Sequence, residues 1–185
     1  MKKSVLFLAV ILFMSGPFLH AGTESSFRIE GIAHYFQPTD DFFKDIYGSE
    51  MVYGGEIGIK LWKWVSLWAA ADFYNKEGKT TFTEEVTELR IMPISGGLMF
   101  QIMSSAFRPY TAIGVGYFQY IEENPIGKVK NGDIGYIVQL GCRIKVAGPL
   151  FFDVKGSYSY CKVKPAGFEI DLGGLKGGIG LGLEF

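Results

Sequence analysis

Histidine is almost missing from this chain: only His20 and His34 occur in 185 residues. Cysteine is as scarce, with Cys142 and Cys161 alone. No stretch past the first twenty residues is apolar for long enough to cross a bilayer as a helix. There is no excess of basic charge either, since 18 Lys and Arg face 19 Asp and Glu. Each shortage excludes something. With one or two imidazoles there is little material for a His-based metal centre or for general acid–base chemistry. Two cysteines do not make a disulfide framework. A chain of net charge −1 carries no nucleic-acid footprint.

What is present begins with a leader. Lys2 and Lys3 precede an apolar core from Val5 to Met14, and small residues follow at Ala21 and Gly22. That is the form of a secretory signal, too short to span as a helix. We place the signal peptide at residues 1–21 and a single domain at residues 22–185, exported by the general secretory route. Removing the leader takes Lys2 and Lys3 with it and moves the net charge from −1 to −3.

The other end is the most informative. From Gly177 the sequence reads GGIGLGLEF. Ile179, Leu181, Leu183 and Phe185 share one parity, and Gly178, Gly180, Gly182 and Glu184 share the other. A period of two places these sets on opposite faces of a strand. A strand greasy on one face and small or polar on the other suits the wall of a membrane barrel closed against a first strand. Its partner is expected around Ile29 to Tyr35.

Between these ends lie about eight strand-like segments, 27–36, 51–61, 65–74, 87–102, 108–121, 134–146, 151–162 and the terminal run. The first, third, fifth and seventh connections are long; the others, at Trp62-Lys63-Trp64, Ser104-Ser105 and Gly148-Pro149, are tight. Outer-membrane barrels sort their connections this way, with short turns on the periplasmic side and long loops outside. The fold class is therefore all-β, a closed antiparallel up-and-down transmembrane barrel of about eight strands. Parity then sends Arg28, Glu30, Glu56, Lys60, Asp72, Arg90, Arg143, Lys145, Asp153, Lys155, Lys176 and Glu184 into the interior. Both signs are present, so the charges can pair.

Some segments read less cleanly. Around Pro93 the apolar parity shifts from Leu89 and Ile91 to Ile94, Leu98, Phe100 and Ile102, which a bulge at the proline would repair. In the fifth segment Ile113 and Val115 compete with Ala112, Gly114 and Gly116 for the lipid face. Trp62 and Trp64 fit a periplasmic girdle; Tyr35, Tyr53, Phe73, Phe118 and Tyr160 fit an outer one. Cys142 and Cys161 are expected to stay unbridged, with Cys142 roughly opposite Gly156 and the two thiols on opposite faces.

An exported chain with alternating loop lengths and a terminal IGLGLEF strand resembles the bacterial outer-membrane β-barrel domain family, including small barrels akin to the transmembrane domain of outer membrane protein A. The resemblance covers essentially the whole mature chain. It implies residence in the outer membrane as an integral protein in contact with its lipids. Ile179, Leu181, Leu183 and Phe185 match the signal by which the outer-membrane assembly machinery recognises its clients. No peptidoglycan-binding domain follows the barrel, so anchoring to the cell wall is not implied.

For function, three classes stand open. A barrel of about eight strands has an interior just wide enough for its own side chains, so an ion-paired plug with a structural or surface-interaction role comes first. A narrow channel for small solutes is the alternative, with inward glycines leaving space. A lipid-modifying enzyme would need a Ser and His pair, and nothing ties Ser66, Ser95, Ser157 or Ser159 to His34. The acidic pairs Asp40-Asp41, Glu84-Glu85 and Glu122-Glu123 lack the alternate-position oxygen spacing of a calcium loop. In the first loop, Phe42, Phe43, Ile46 and Tyr47 fit a short amphipathic helix on the membrane surface or across the mouth. No cofactor, metal or nucleic-acid partner is expected, and the protein is expected to be a monomer.

Overall fold

A computed structural model describes residues 26–79, 86–102, 106–124, 127–163 and 170–185. The signal peptide at 1–21, the turn at Ser104-Ser105 and the Glu84-Glu85 pair lie outside the described residues. Eight strands close into one antiparallel barrel: β1 (Phe27–Pro38), β2 (Glu50–Trp62), β3 (Val65–Lys79), β4 (Val86–Gln101), β5 (Phe107–Asn124), β6 (Gly127–Ala147), β7 (Leu150–Tyr160) and β10 (Gly174–Glu184). The short β8 (Lys162–Val163) and β9 (Ile170–Asp171) pair with each other in the connection between β7 and β10. One helix, α1 (Asp41–Tyr47), lies between β1 and β2.

Closure runs through the terminal strand. Ile29 lies opposite Leu183 and Tyr35 opposite Gly177, in the segment expected from the sequence. Backbone bonds in both directions between Phe27 and Phe185 finish the seam, at 3.0 and 2.9 Å. Each of the eight strands pairs with a neighbour on both sides, which is what a sheet in lipid requires.

The exterior is apolar. Ile29, Ile57, Leu67, Ile113, Val138, Leu140, Ile179 and Leu181 are exposed, and each has buried neighbours of the opposite parity on its strand. Trp62 and Trp64 are exposed at the end with the tight turns; Tyr35, Tyr53 and Phe73 are exposed toward the other end. At the β6–β7 turn Gly148 takes φ +53°, a left-handed conformation that glycine adopts without a Cβ clash.

Several expectations need correction. The pairing of β4 with β5 keeps one register from Glu88 to Gln101, so no bulge forms at Pro93. Leu89, Ile91 and Pro93 point inward with Gly97 and Met99, and Arg90 projects outward between Leu89 and Ile91. Proline instead interrupts the β3–β4 ladder, whose pairs resume in the same register at Tyr74 and Ile91. In β5 the lipid face belongs to Ile113, Val115 and Tyr117, while Phe118 is 2% exposed and belongs to the core rather than the outer girdle.

The segment EENPIGKVKNGD is not a long loop. β5 and β6 continue as a ladder from Glu122 opposite Val129 to Asn124 opposite Gly127, forming a protruding hairpin. Cys142 faces Val154, not Gly156: the strands join with Ala147 opposite Leu150, and a bulge between Lys145 and Ala147 moves the register by one residue more. Both cysteines are free, and burial pushes the Cys161 thiol up to about 12.

Candidate functional site: the barrel lumen

Inward-facing side chains sort into two layers. The first lies nearer the termini. Glu30 of β1 and Glu56 of β2 are register partners, so two carboxylates face each other across neighbouring strands. Like charges directly opposite destabilise a sheet unless a cation intervenes. Here Lys155 of β7 supplies it, with Nζ 3.1 Å from Glu30 Oε1 and 3.3 Å from Glu56 Oε2. To reach them it must cross β10, where its partner is Gly178 and the next inward position is Gly180.

The glycine face of the terminal strand is what permits that crossing. A Cβ on Gly180 would run into the Glu30 carboxylate, and one on Gly58 would meet the Arg28 guanidinium. At Gly180 and Gly58 the space an inward side chain would take is occupied by charged groups from β1, whereas Gly114, Gly141 and Gly182 lie against the rings of Trp68, Tyr110 and Phe151.

The rest of the layer balances. Arg28 Nη2 lies 2.5 Å from Glu56 Oε1. Arg143 approaches Glu56 and Asp153 at 3.8 Å each, and Lys155 sits 3.3 Å from Asp153. Tyr110 donates its hydroxyl proton to Asp153 Oδ2 at 2.7 Å, and Arg143 stacks 4.4 Å above the Tyr110 ring. Arg143 also donates to Gln101 Oε1 at 2.7 Å. Arg28, Arg143 and Lys155 thus meet Glu30, Glu56 and Asp153, three charges of each sign, all 5% exposed or less. In low dielectric such a set holds only if every member is compensated.

A second ion pair lies beyond it. Lys176 Nζ is 2.5 Å from Asp72 Oδ2, and His34 Nε2 lies 4.0 Å from Asp72 Oδ1. His34 is buried inside the wall. At the end carrying the termini Arg108 pairs with Glu184 at 2.7 Å. Lys60 and Glu184 are half-buried there, and Lys145, expected inside, is exposed at the mouth. Arg90 alone of the expected interior charges lies on the outer face.

The upper layer was missed by sequence reasoning. Phe36, Val52, Tyr74, Leu89, Ile91, Phe118, Tyr120 and Ile137 fill the lumen toward the long connections. The helix α1 completes it. Asp40 caps the helix by accepting a bond from Phe43 N at 3.1 Å, and Gly48 ends it at φ +65°. Phe43 then packs on Phe36, Tyr47 and Tyr74 at centroid distances of 6.3, 5.2 and 6.1 Å. The other Asp40 oxygen accepts from Asp171 N at 3.1 Å, tying the helix to β9. So the first loop covers the mouth rather than lying on the membrane. The available signal was the row of apolar residues at inward parity in β4 and β5, which the sequence alone could equally assign to lipid.

A closed barrel with an apolar exterior and a filled interior is the architecture of the small outer-membrane proteins. No family model and no curated protein matches the sequence. Among solved structures, the outer membrane protein OprG of Pseudomonas aeruginosa is similar at TM-score 0.70 and 16% identity, over 89% of this chain and 98% of that one. Neisserial surface protein A is similar at TM-score 0.64 and 14% identity, over 88% of this chain and all of the other. Ail, the attachment invasion locus protein of Yersinia pestis, gives 0.59 and 11% over 88% of this chain and all of that one. The chain shares the fold of these eight-stranded barrels, with an apolar outer face of the kind that a membrane barrel turns to lipid. Among the described residues no group of three or more His, Cys, Asp or Glu is arranged to hold a metal ion.

Proposed function

We propose that this barrel is a sealed structural and surface-interaction protein, whose lumen stabilises the wall and whose outer hairpins and lid meet the cell's surroundings. The carrying observation is the closed set of three cations and three carboxylates, with Lys155 bridging the Glu30–Glu56 pair across β10. An open conduit would leave those charges hydrated; here they are spent on one another. The lid α1 and the protruding β5–β6 hairpin give the outer end a shaped surface. Neisserial surface protein A and the attachment invasion locus protein, which share the fold, are named for surface location and attachment.

Planar-bilayer recording tests the reading. A protein that inserts and gives no discrete conductance steps fits a sealed lumen, whereas reproducible unit steps would replace it with the narrow-channel reading. Lipid-modifying catalysis is disfavoured because His34 is enclosed in the lumen with Asp72 and Lys176. We expect His34→Ala to leave the lipid A pattern unchanged, and a mass spectrum that changed with the substitution would restore the enzyme reading.

A further inference from the structure

We propose that α1 and the β8–β9 pair form a single lid, latched by Asp40, and that they open together. Asp40 divides its two carboxylate oxygens between segments far apart in the chain. One accepts from Phe43 N and caps the helix; the other accepts from Asp171 N, at 3.1 Å in each case. Asp171 continues the series, its own Oδ1 accepting from Cys161 N at 2.9 Å and Gly173 N at 2.8 Å. Leu172 N closes on Cys161 O at 2.9 Å in the same cluster. These acidic side chains thus tie the start of the helix to both ends of the β8–β9 connection.

The fold brings these segments to one point. Pro38, the last residue of β1, is the register partner of Gly174, the first residue of β10. The chain leaves the wall toward α1 and returns from β9 across that pair. The seam is tight: a Cβ on Gly174 would strike the Gln37 carbonyl, and one on Gly173 the Ser159 carbonyl. Asp40, extended at φ −81° and ψ 126°, is therefore held beside β9 before the helix begins.

Packing gives the same unit. Phe43 and Tyr47 of the helix, with Cys161, Val163 and Leu172 of the other connection, are buried in one apolar cluster. Lifting either segment alone would strip apolar cover from the other and break a bond to a charged acceptor. Local openings take place in cooperative units of this kind. By reciprocity of coupling, a molecule that pulls on β9 acts also on the helix over the mouth. The latch stands whether or not the lumen conducts.

Amide hydrogen exchange read by NMR tests it, on the refolded barrel in phosphatidylcholine nanodiscs. In the wild type the amide of Gly48, bonded to Lys44 O, and those of Leu172 and Gly173 should share one opening constant. Asp40→Asn separates the latch from the cap. Asparagine caps a helix as well as aspartate does, but its amide offers one acceptor oxygen where the carboxylate offers two. Exchange at all three amides should rise about tenfold or more, the effect of losing one bond to a charged acceptor. Asp171→Ala is the cross-test, because its side chain bonds Cys161 N and Gly173 N, on the far side of the latch. Gly48 exchange should still rise together with that of Leu172. The Ile137 amide, in the wall, should not move in either variant, and heat-modifiable gel migration verifies the barrel. If Asp171→Ala disturbs Ile137, Asp171→Asn keeps one acceptor and makes the same comparison at smaller amplitude. Unequal opening constants in the wild type, or acceleration of one segment without the other, would overturn the proposal.

Discussion

Within one barrel the lumen is filled twice, by different physics. Near the termini six charges from β1, β2, β6 and β7 neutralise one another through geometry that tolerates no missing member. Toward the long connections, rings and aliphatic chains from the wall and from α1 fill the space by contact alone. The charged layer is therefore brittle and long-range in its consequences. The apolar layer is forgiving, because a neighbour can relax into part of any gap.

The sharpest way to break that contrast is to remove one charge. Glu56 touches Arg28, Arg143 and Lys155, so Glu56→Gln leaves three buried cations against two carboxylates. We expect a loss of about 3–5 kcal/mol, the cost of an uncompensated buried charge. Urea unfolding from lipid vesicles measures it. A loss below about 1 kcal/mol, typical of an ordinary surface change, would mean that water already compensates the layer.

The lid should respond less and more locally. Phe43→Ala removes contacts to Phe36, Tyr47 and Tyr74, but α1 can shift to recover part of them. We expect about 1–3 kcal/mol, under the full value for a buried phenylalanine. Hydrogen exchange should rise in α1 and stay low in the barrel strands. On the proposed reading bilayer recordings should remain silent, with the charged layer still filling the lumen. Steps opened by Phe43→Ala alone would show that the lid, and not the ion set, is the seal.

Glycines sharpen the same comparison within a single strand. A Cβ at Gly180 collides with the Glu30 carboxylate, whereas a Cβ at Gly177, on the outward face of β10, meets nothing within 4 Å. Gly180→Ala should therefore cost about 1–3 kcal/mol through overpacking, with Gly177→Ala near neutral. Equal effects would mean that Glu30 is free to move and that β10 is not the floor of the network.

How far the sequence carries follows from the same two layers. In β6 and β7 alternation is legible because Gln139, Arg143, Asp153 and Lys155 contrast with Val138, Leu140, Cys142 and Val154. There polarity differs between lumen and lipid. In the outer halves of β4 and β5 it does not. Leu89, Ile91 and Phe118 point into an apolar lumen and look like lipid-facing residues by hydrophobicity alone. The β5–β6 hairpin was unreadable for the opposite reason. Beyond the bilayer neither face meets lipid, so a strand there needs no apolar period and its sequence resembles a loop. The ion partners were unreadable as well, since parity gives a face but not which of several cations spans the barrel.

Arg90 provides the smallest and most discriminating case. An apparent slip of hydrophobic phase at Pro93 places it in the lumen, yet one unbroken register from Glu88 to Gln101 turns it outward. Were it a member of the interior set, Arg90→Ala would unbalance that set and cost as much as Glu56→Gln. As an exposed residue outside that set it should cost at most about 1 kcal/mol, the range of an exposed interaction. The two outcomes differ severalfold in one urea titration. A large loss would restore the bulge and redraw the face of the whole outer half of β4, taking Leu89 and Ile91 out of the apolar layer with it.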